Sequence, residues 1–176
     1  MRSDEELVRQ IQCGDEEAAE ELVTRYYASI LRYCSWHCSD HGKAEDLTQE
    51  TFYRVFHSIS GYQNHKKFKS YIYTIALHLC IDESRRPPMY SMEEGYEAAK
   101  ECVYIRQVED QMEITALMNC LTPVQRETVI LYYGEQLSYR EIALIMGCNL
   151  RTVQSRVRSA LKIMRKAIKD RTITKE

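Results

Sequence analysis

The chain has 176 residues, with 24 basic against 26 acidic side chains and a formal net charge of −2. At 44% hydrophobic and 28% charged residues it sits near globular averages, which excludes collagen, fibrous coiled coil and wholesale disorder. No apolar run approaches the ~18–20 residues that span a bilayer, so no membrane insertion is expected, and the acidic opening Met1-Arg2-Ser3-Asp4-Glu5-Glu6 speaks against a secretory leader.

Only six Gly and three Pro interrupt the chain, which favours helices. Ser3-x-x-Glu6 is a capping box opening a short helix that Gly14 should stop. A second helix is predicted from about Asp15, with Leu22, Val23, Tyr26, Tyr27, Ile30, Leu31 and Cys34 as its apolar stripe. Ser39-Asp40-His41-Gly42 reads as the next turn. Ala44, Leu47, Thr51, Phe52, Val55, Phe56 and Ile59 then repeat at helical spacing up to Gly61. Phe68, Tyr71, Ile72, Ile75, Ala76, Leu79 and Ile81 mark a fourth helix, which must end by Arg86 because Pro87-Pro88 cannot continue it.

Residues 87–106 lose periodicity and carry Glu93, Glu94, Glu97 and Glu101, the composition of an acidic linker. Thr122-Pro123-x-Gln125 combines an N-cap, a proline at the first helical position and a capping-box partner. That helix should turn Val124, Thr128, Leu131 and Tyr132 inward and stop at Gly134. Ser138-x-x-Glu141 opens a short helix closed by Gly147, and Asn149 caps the last one. The fold class expected is all-α: two small helical domains, 1–86 and 107–176, joined by the linker.

Split by segment, the charge is far from even. Residues 1–86 hold 11 basic and 14 acidic side chains, residues 87–119 hold 2 and 7, and residues 120–176 hold 11 and 5. The last block, at +6, has the balance of a nucleic-acid binder.

Within it, residues 138–169 read as a helix-turn-helix, with Ala143 at the close approach and Gly147 in the left-handed turn. Val153, Val157, Ala160, Leu161, Met164 and Ile168 would be buried. Arg151, Thr152, Gln154, Ser155, Arg156, Arg158, Ser159 and Lys162 would face a DNA groove, where early side chains reach base edges and later basic ones meet phosphate. An ordinary helical hairpin with a solvated basic face would share part of this pattern. Residues 62–86 interleave aromatics (Tyr62, Phe68, Tyr71, Tyr73) with His65, Lys66, Lys67 and Lys69 and close on Arg85-Arg86. This suits stacking on single-stranded DNA or, equally, a packed core. On residues 44–56, Asp46, Gln49, Glu50 and Tyr53 share one helix face, either solvated or offered to a cationic protein partner.

These segments together resemble a bacterial extracytoplasmic-function sigma factor over nearly the whole chain. The resemblance is carried by Asp4-Glu5-Glu6-Leu7-Val8 with Gly14-Asp15-Glu16-Glu17-Ala18, by Ala44-Glu45-Asp46-Leu47-Thr48-Gln49-Glu50-Thr51-Phe52, and by Phe68-Lys69-Ser70-Tyr71 with Asp82-Glu83-Ser84-Arg85-Arg86. In the second half it is carried by Leu121-Thr122-Pro123, Leu137-Ser138-Tyr139-Arg140-Glu141-Ile142-Ala143 and Arg151-Thr152-Val153-Gln154-Ser155-Arg156-Val157. It implies a region 2-type bundle over 1–86 and a region 4-type helix-turn-helix over 107–176. Asp46, Leu47, Gln49, Glu50, Phe52 and Tyr53 would dock on the clamp helices of core RNA polymerase, whose flap is a further contact. Tyr62, Lys66, Lys67, Phe68, Lys69, Tyr71, His78, Asp82, Arg85 and Arg86 would serve the promoter −10 element and its opening, and Tyr139 and Arg140 would join the recognition-helix residues on the −35 element. An anti-sigma partner and a cytoplasmic site of action are implied too, with no catalytic residue, cofactor or metal.

His78 stands where the family commonly has Asn, and Arg151 where a glycine is frequent; Arg158 and Ser159 alter the positions that follow. The promoter sequence therefore does not carry over. The rival class is a helix-turn-helix regulator that acts as a dimer without polymerase. An enzyme is disfavoured by the lack of a phosphate loop, a Ser/His/Asp set or a paired carboxylate cleft.

The seven cysteines (Cys13, Cys34, Cys38, Cys80, Cys102, Cys120, Cys148) are an odd number, as in a chain of reduced thiols. Cys34, His37, Cys38 and His41 have helical spacing that could gather metal ligands. Buried cysteines beside exposed histidines are the plainer expectation.

Overall fold

The computed structural model describes residues 2–38, 40–63, 67–85 and 113–173, with side chains to 170. The linker 87–106, Lys66 and Arg86 lie outside the described residues. Among those described, all regular structure is helical: α1 (Asp4–Gln12), α2 (Glu16–Ser35), α3 (His41–Ser58), a 3-10 turn (Ile59–Gly61), α4 (Phe68–Arg85), a helical stretch over 113–119, α5 (Pro123–Val129), a π-helical turn (Ile130–Gly134), α6 (Tyr139–Ile145) and α7 (Leu150–Ile173). They group into two compact units, one within Met1–Arg86 and Ile130–Leu150, the other within Pro87–Val129 and Arg151–Glu176.

In the first unit the helix ends follow the chain's own punctuation. Ser3 and Glu6 form a reciprocal capping box, and Asp15 accepts the Ala18 amide at 3.1 Å to start α2. Gly14 (φ +89°) and Gly147 (φ +59°) end helices in the left-handed conformation. The amides that follow them bond back five residues, Asp15 to Gln10 and Cys148 to Ala143, each at 3.0 Å. The turn expected at 39–42 is shorter than its composition suggests. Asp40 accepts the Gly42 amide at 2.9 Å, so His41 and Gly42 already form the first turn of α3.

Leu7 and Val8 of α1, Leu22, Tyr26, Ile30 and Tyr33 of α2, and Phe52 and Val55 of α3 enclose the core. From α4 come Phe68, Ile72, Tyr73 and Ala76. The α2 positions are spaced by four, four and three residues, which holds one stripe inward over three turns. Thr48 and Thr51 are fully buried in α3, and each hydroxyl donates to a carbonyl one turn back at 2.7 Å. A polar knot ties α1 to α2: Arg25 reaches Asp4 at 2.5 Å and Glu21 at 2.8 Å, Arg2 meets Glu21 at 2.6 Å, and the Tyr26 hydroxyl donates to Asp4. The hydrogen bond from Arg2 holds the Glu21 carboxyl below its ordinary value, while burial and then Asp4 push the Tyr26 phenol up.

Residues 130–150 complete this unit. Helix α5 was expected to run to Gly134, but the α pattern stops at Val129 and a wider π turn follows, with the Glu135 amide bonded to Ile130 O at 3.0 Å. Tertiary anchoring explains the change. Glu135 is 5% exposed, the lone buried charged residue among those described, and it accepts hydrogen bonds from Arg32 of α2 and Tyr73 of α4. Leu131, Leu137, Ile142 and Ile145 are buried, and α6 packs on α4.

In the second unit, Thr122 and Gln125 make the expected capping box before Pro123, and Arg126 Nε donates to Met118 O at 3.0 Å. Val124, expected inward, is 45% exposed, whereas Thr128, also expected inward, is buried together with Leu121 and Val129. Along α7, Val153, Val157 and Ala160 are buried and Leu161 and Met164 half-buried. Ile168, the last member expected in that stripe, is 49% exposed, because burial ends while the helix continues to Ile173.

Candidate functional site

Three surfaces carry the residues singled out by the sequence. On α3 and α4 a groove of about 530 Å³ is lined by Lys43, Asp46, Leu47, Glu50, Arg54 and Asp82, with Leu79 at its floor. Asp46, Gln49 and Tyr53 are exposed, and Glu50 accepts from Arg54 Nε at 2.7 Å. Leu47 and Phe52 are core residues, 9% and 6% exposed, so they shape the helix that presents the acidic face. Lys43 and Arg54 were missed in the sequence, although Lys43 stands three residues before Asp46 and Arg54 four after Glu50, the spacing that would have found them.

At the start of α4 the aromatics do gather. Tyr62 and Tyr71 have ring centroids 4.6 Å apart, and Phe68 meets them edgewise at 5.9 Å and tilted at 6.1 Å. Phe68 is buried, 2% exposed, and also contacts Tyr26, so it backs the cluster as a core residue. Tyr62 and Tyr71 are half-buried and border a pocket of about 210 Å³ with Lys67, Gln63, Ser70 and Thr74. Burial raises the Tyr62 phenol above its ordinary value, so the ring stays neutral. Tyr71 is held by a 2.6 Å hydrogen bond between its hydroxyl and that of Ser58. Lys67, just before α4, and His78, Asp82 and Arg85 on it are exposed, and Lys69 is half-buried. A half-buried aromatic wall beside an exposed ammonium can take a stacked base and its phosphate.

The third set divides between the units. On α6 the Ser138–Glu141 capping box fixes the first turn, Arg140 is exposed, and the Tyr139 ring stacks on Tyr132 at 4.7 Å and 15°. On α7, Arg151, Ser155, Arg158, Ser159 and Lys162 are exposed, while Thr152, Gln154 and Arg156 are half-buried. Ser159 also accepts from Gln125 Nε2 at 3.1 Å. Farther along, Arg165, Lys166 and Lys169 join Arg158 and Lys162 around a shallow basic hollow.

The cysteine and histidine set does not form one helical face. Helix α2 ends at Ser35, Cys34 is buried, and His41 begins α3, where it pairs with Glu45 at 3.3 Å. Among the described residues no group of three or more His, Cys, Asp or Glu side chains could hold a metal ion. No helix among them is long and apolar enough to cross a membrane.

Residues 22–87 match Sigma-70 region 2 and residues 111–164 match Sigma-70, region 4. The chain is 30% identical to the ECF RNA polymerase sigma factor SigC of Mycobacterium tuberculosis (strain CDC 1551 / Oshkosh) over 151 residues, 84% of this chain and 81% of that one. It is 26% identical to SigW of Bacillus subtilis (strain 168) over 178 residues, covering 93% and 95%. The fold is shared with CnrH, solved with the cytosolic domain of CnrY (TM-score 0.75, 17% identity, 93% of this chain and 96% of that one). It is also shared with the sigma factor RpoE of Bartonella quintana, solved with the anti-sigma factor NepR (TM-score 0.64, 20% identity, covering 85% and 96%). The chain belongs to the ECF family of RNA polymerase sigma factors.

Proposed function

We propose that the chain docks on core RNA polymerase through the acidic face of α3 and directs initiation at promoters whose −10 and −35 elements it reads with α4 and with α6–α7. Residues 1–86 take the docking and −10 roles, residues 107–176 the −35 role, and the acidic linker 87–106 joins them. Asp46, Gln49, Glu50 and Tyr53 make the polymerase contact, with Leu47 and Phe52 as its support. Tyr62, Tyr71 and Lys67 hold an unstacked nontemplate base, and the few kcal/mol of extruding it are offset by stacking and phosphate contact. His78, Asp82 and Arg85 follow the duplex near the melting start. Arg140, Arg151, Gln154, Ser155, Arg156 and Arg158 face the −35 element.

The observation that carries this reading is the presence, in one chain and in order, of region 2 and region 4 matches with an exposed acidic face on α3. A dimeric regulator acting without polymerase has no use for the first of these. The factor works in the cytoplasm, where polymerase is, and contributes no catalysis of its own. By analogy with the Bartonella RpoE structure, solved with an anti-sigma factor, an anti-sigma protein is the expected regulator. Reconstituted transcription tests the whole: purified chain, core polymerase and candidate promoters should yield a promoter-specific transcript. Absence of both a transcript and a stable core complex would end this reading.

A further inference from the structure

Gln12 is the last residue of α1 and lies at the surface, yet its carboxamide bridges two points far along the chain. Its Nε2 donates to Ile59 O at 2.8 Å and to Tyr62 O at 2.9 Å, across 47 and 50 positions of sequence. Both acceptors are carbonyls, so only the NH2 end of the amide can face them, and each of its hydrogens has one partner. Ile59 O also accepts the Tyr62 amide at 3.1 Å. Gln12 thus grips the first residue of the 3-10 turn and the residue that follows its last.

The grip has a firm base. Leu7 and Val8 bury α1 in the bundle, and Asp4 is paired with Arg25 of α2. What it holds is Tyr62, which leaves the turn extended at φ −70° and ψ 116° and sets its ring 4.6 Å from Tyr71 and 5.9 Å from Phe68. The other rings are fixed by other means. Phe68 is a core residue, and the Tyr71 hydroxyl shares its 2.6 Å hydrogen bond with Ser58. The direction of Tyr62 is set by a turn, and a site about 1 Å too loose fails even with every contact residue present. Gln12 belongs to none of the polymerase- or DNA-facing sets above. Because it lies at the surface, water can take over carbonyls that lose its amide, so the fold should lose little.

We propose that Gln12 is a positioning residue for strand capture: its amide fixes the backbone of Tyr62, so that the ring is already placed when the nontemplate base arrives. It acts through Tyr62 and not on the base. The assignment rests on the reading of the Tyr62–Tyr71 pocket as the base site given above.

The test uses holoenzyme reconstituted from core polymerase and the full chain, with labelled nontemplate −10 strands of a promoter that the wild type transcribes. An abasic site placed at each −10 position in turn finds the captured base. The ratio of affinities with and without that base separates stacking from phosphate attraction. It should be about tenfold or more in the wild type and fall to about two- or threefold in Gln12→Met and Gln12→Glu, which keep the side-chain length without its donors. Gln12→Lys keeps N–H donors and should hold the wild-type ratio, although its charge strengthens binding of both strands. Core affinity and the thermal midpoint should stay at wild-type values in all three. Far-UV circular dichroism checks folding, and should Gln12→Met lose helicity, Gln12→Glu carries the test. Tyr62→Ala should bring the ratio to about one. If no abasic site weakens the wild type, or Tyr62→Ala leaves the ratio unchanged, the pocket reading fails and the role of Gln12 with it. If Tyr62→Ala abolishes the ratio while Gln12→Met and Gln12→Glu keep it, weakening both strands equally or neither, the Gln12 assignment alone is overturned. Loss of the ratio in Gln12→Lys as well overturns the role given to the donors.

Discussion

Glu50 shows how little a single side chain needs to change for a surface to change its meaning. It pairs with Arg54 one turn away, and the pair leaves α3 acidic at Asp46 and Glu50. Glu50→Lys places two cations at this spacing, which costs the helix only a few tenths of a kcal/mol. Against a cationic partner the reversed charge should cost much more. Core polymerase should bind the variant about tenfold or more weakly in a competition assay, with the thermal midpoint of the free chain nearly unmoved. Glu21 makes a second residue-scale case. Its carboxyl is held low by Arg2, so its contribution to fastening α1 is present above the ordinary glutamate range of about 4.3 and is lost as pH falls through the lower folded value. Protection of the α1 amides, taken relative to their intrinsic exchange rate at each pH, should fall as pH drops below the ordinary glutamate range, and Arg2→Ala should flatten that dependence.

At the scale of elements, the local rules were largely legible in the residues. Capping boxes at Ser3, Thr122 and Ser138 and the glycines at 14 and 147 punctuate the helices as expected. The misreadings have two causes: a cap supplied two residues away, and contacts made by residues distant in sequence. Gly42 looked like a turn until the Asp40 cap drew it into α3, and α5 looked continuous to Gly134 until Glu135 was drawn onto Arg32 and Tyr73. Tyr62 and Tyr71 were visible as candidates, but whether Phe68 was platform or core depended on Tyr26, which lies in α2. Packing density inside the bundle gives a direct test. Ile72 of α4 is fully buried, and Ile72→Ala should destabilise the chain by about 2–5 kcal/mol in urea unfolding, since the helices around it can close the cavity only in part.

For the molecule as a whole, the net charge of −2 conceals a division of labour between an acidic front, an acidic linker and a basic end. That division was readable in the sequence, because counting charges by segment needs no coordinates. The tie between residues 130–150 and the first helices was not, since it joins positions of opposite charge with no periodic relation between them. The basic end also sets how affinity should respond to salt. Arg158 is exposed beside Lys162 on α7. Arg158→Gln should lower the slope of log affinity against log salt for promoter DNA by about 1, uniformly across promoter sequences, as expected for one phosphate contact removed. An unaltered slope would assign Arg158 a different partner.

The π turn at Ile130–Gly134 also bears on chain length. Each α-helical residue advances the side-chain direction by about 100°, so a wide turn in this place shifts the rotational phase of everything after it. Deleting one residue there would restore a regular helix at almost no local cost. It would also swing Glu135 through more than a quarter of a revolution, away from Arg32 and Tyr73. The spacing between α5 and Glu135 is thus set by angle as much as by distance, and in this segment a one-residue deletion should be more disruptive than most substitutions.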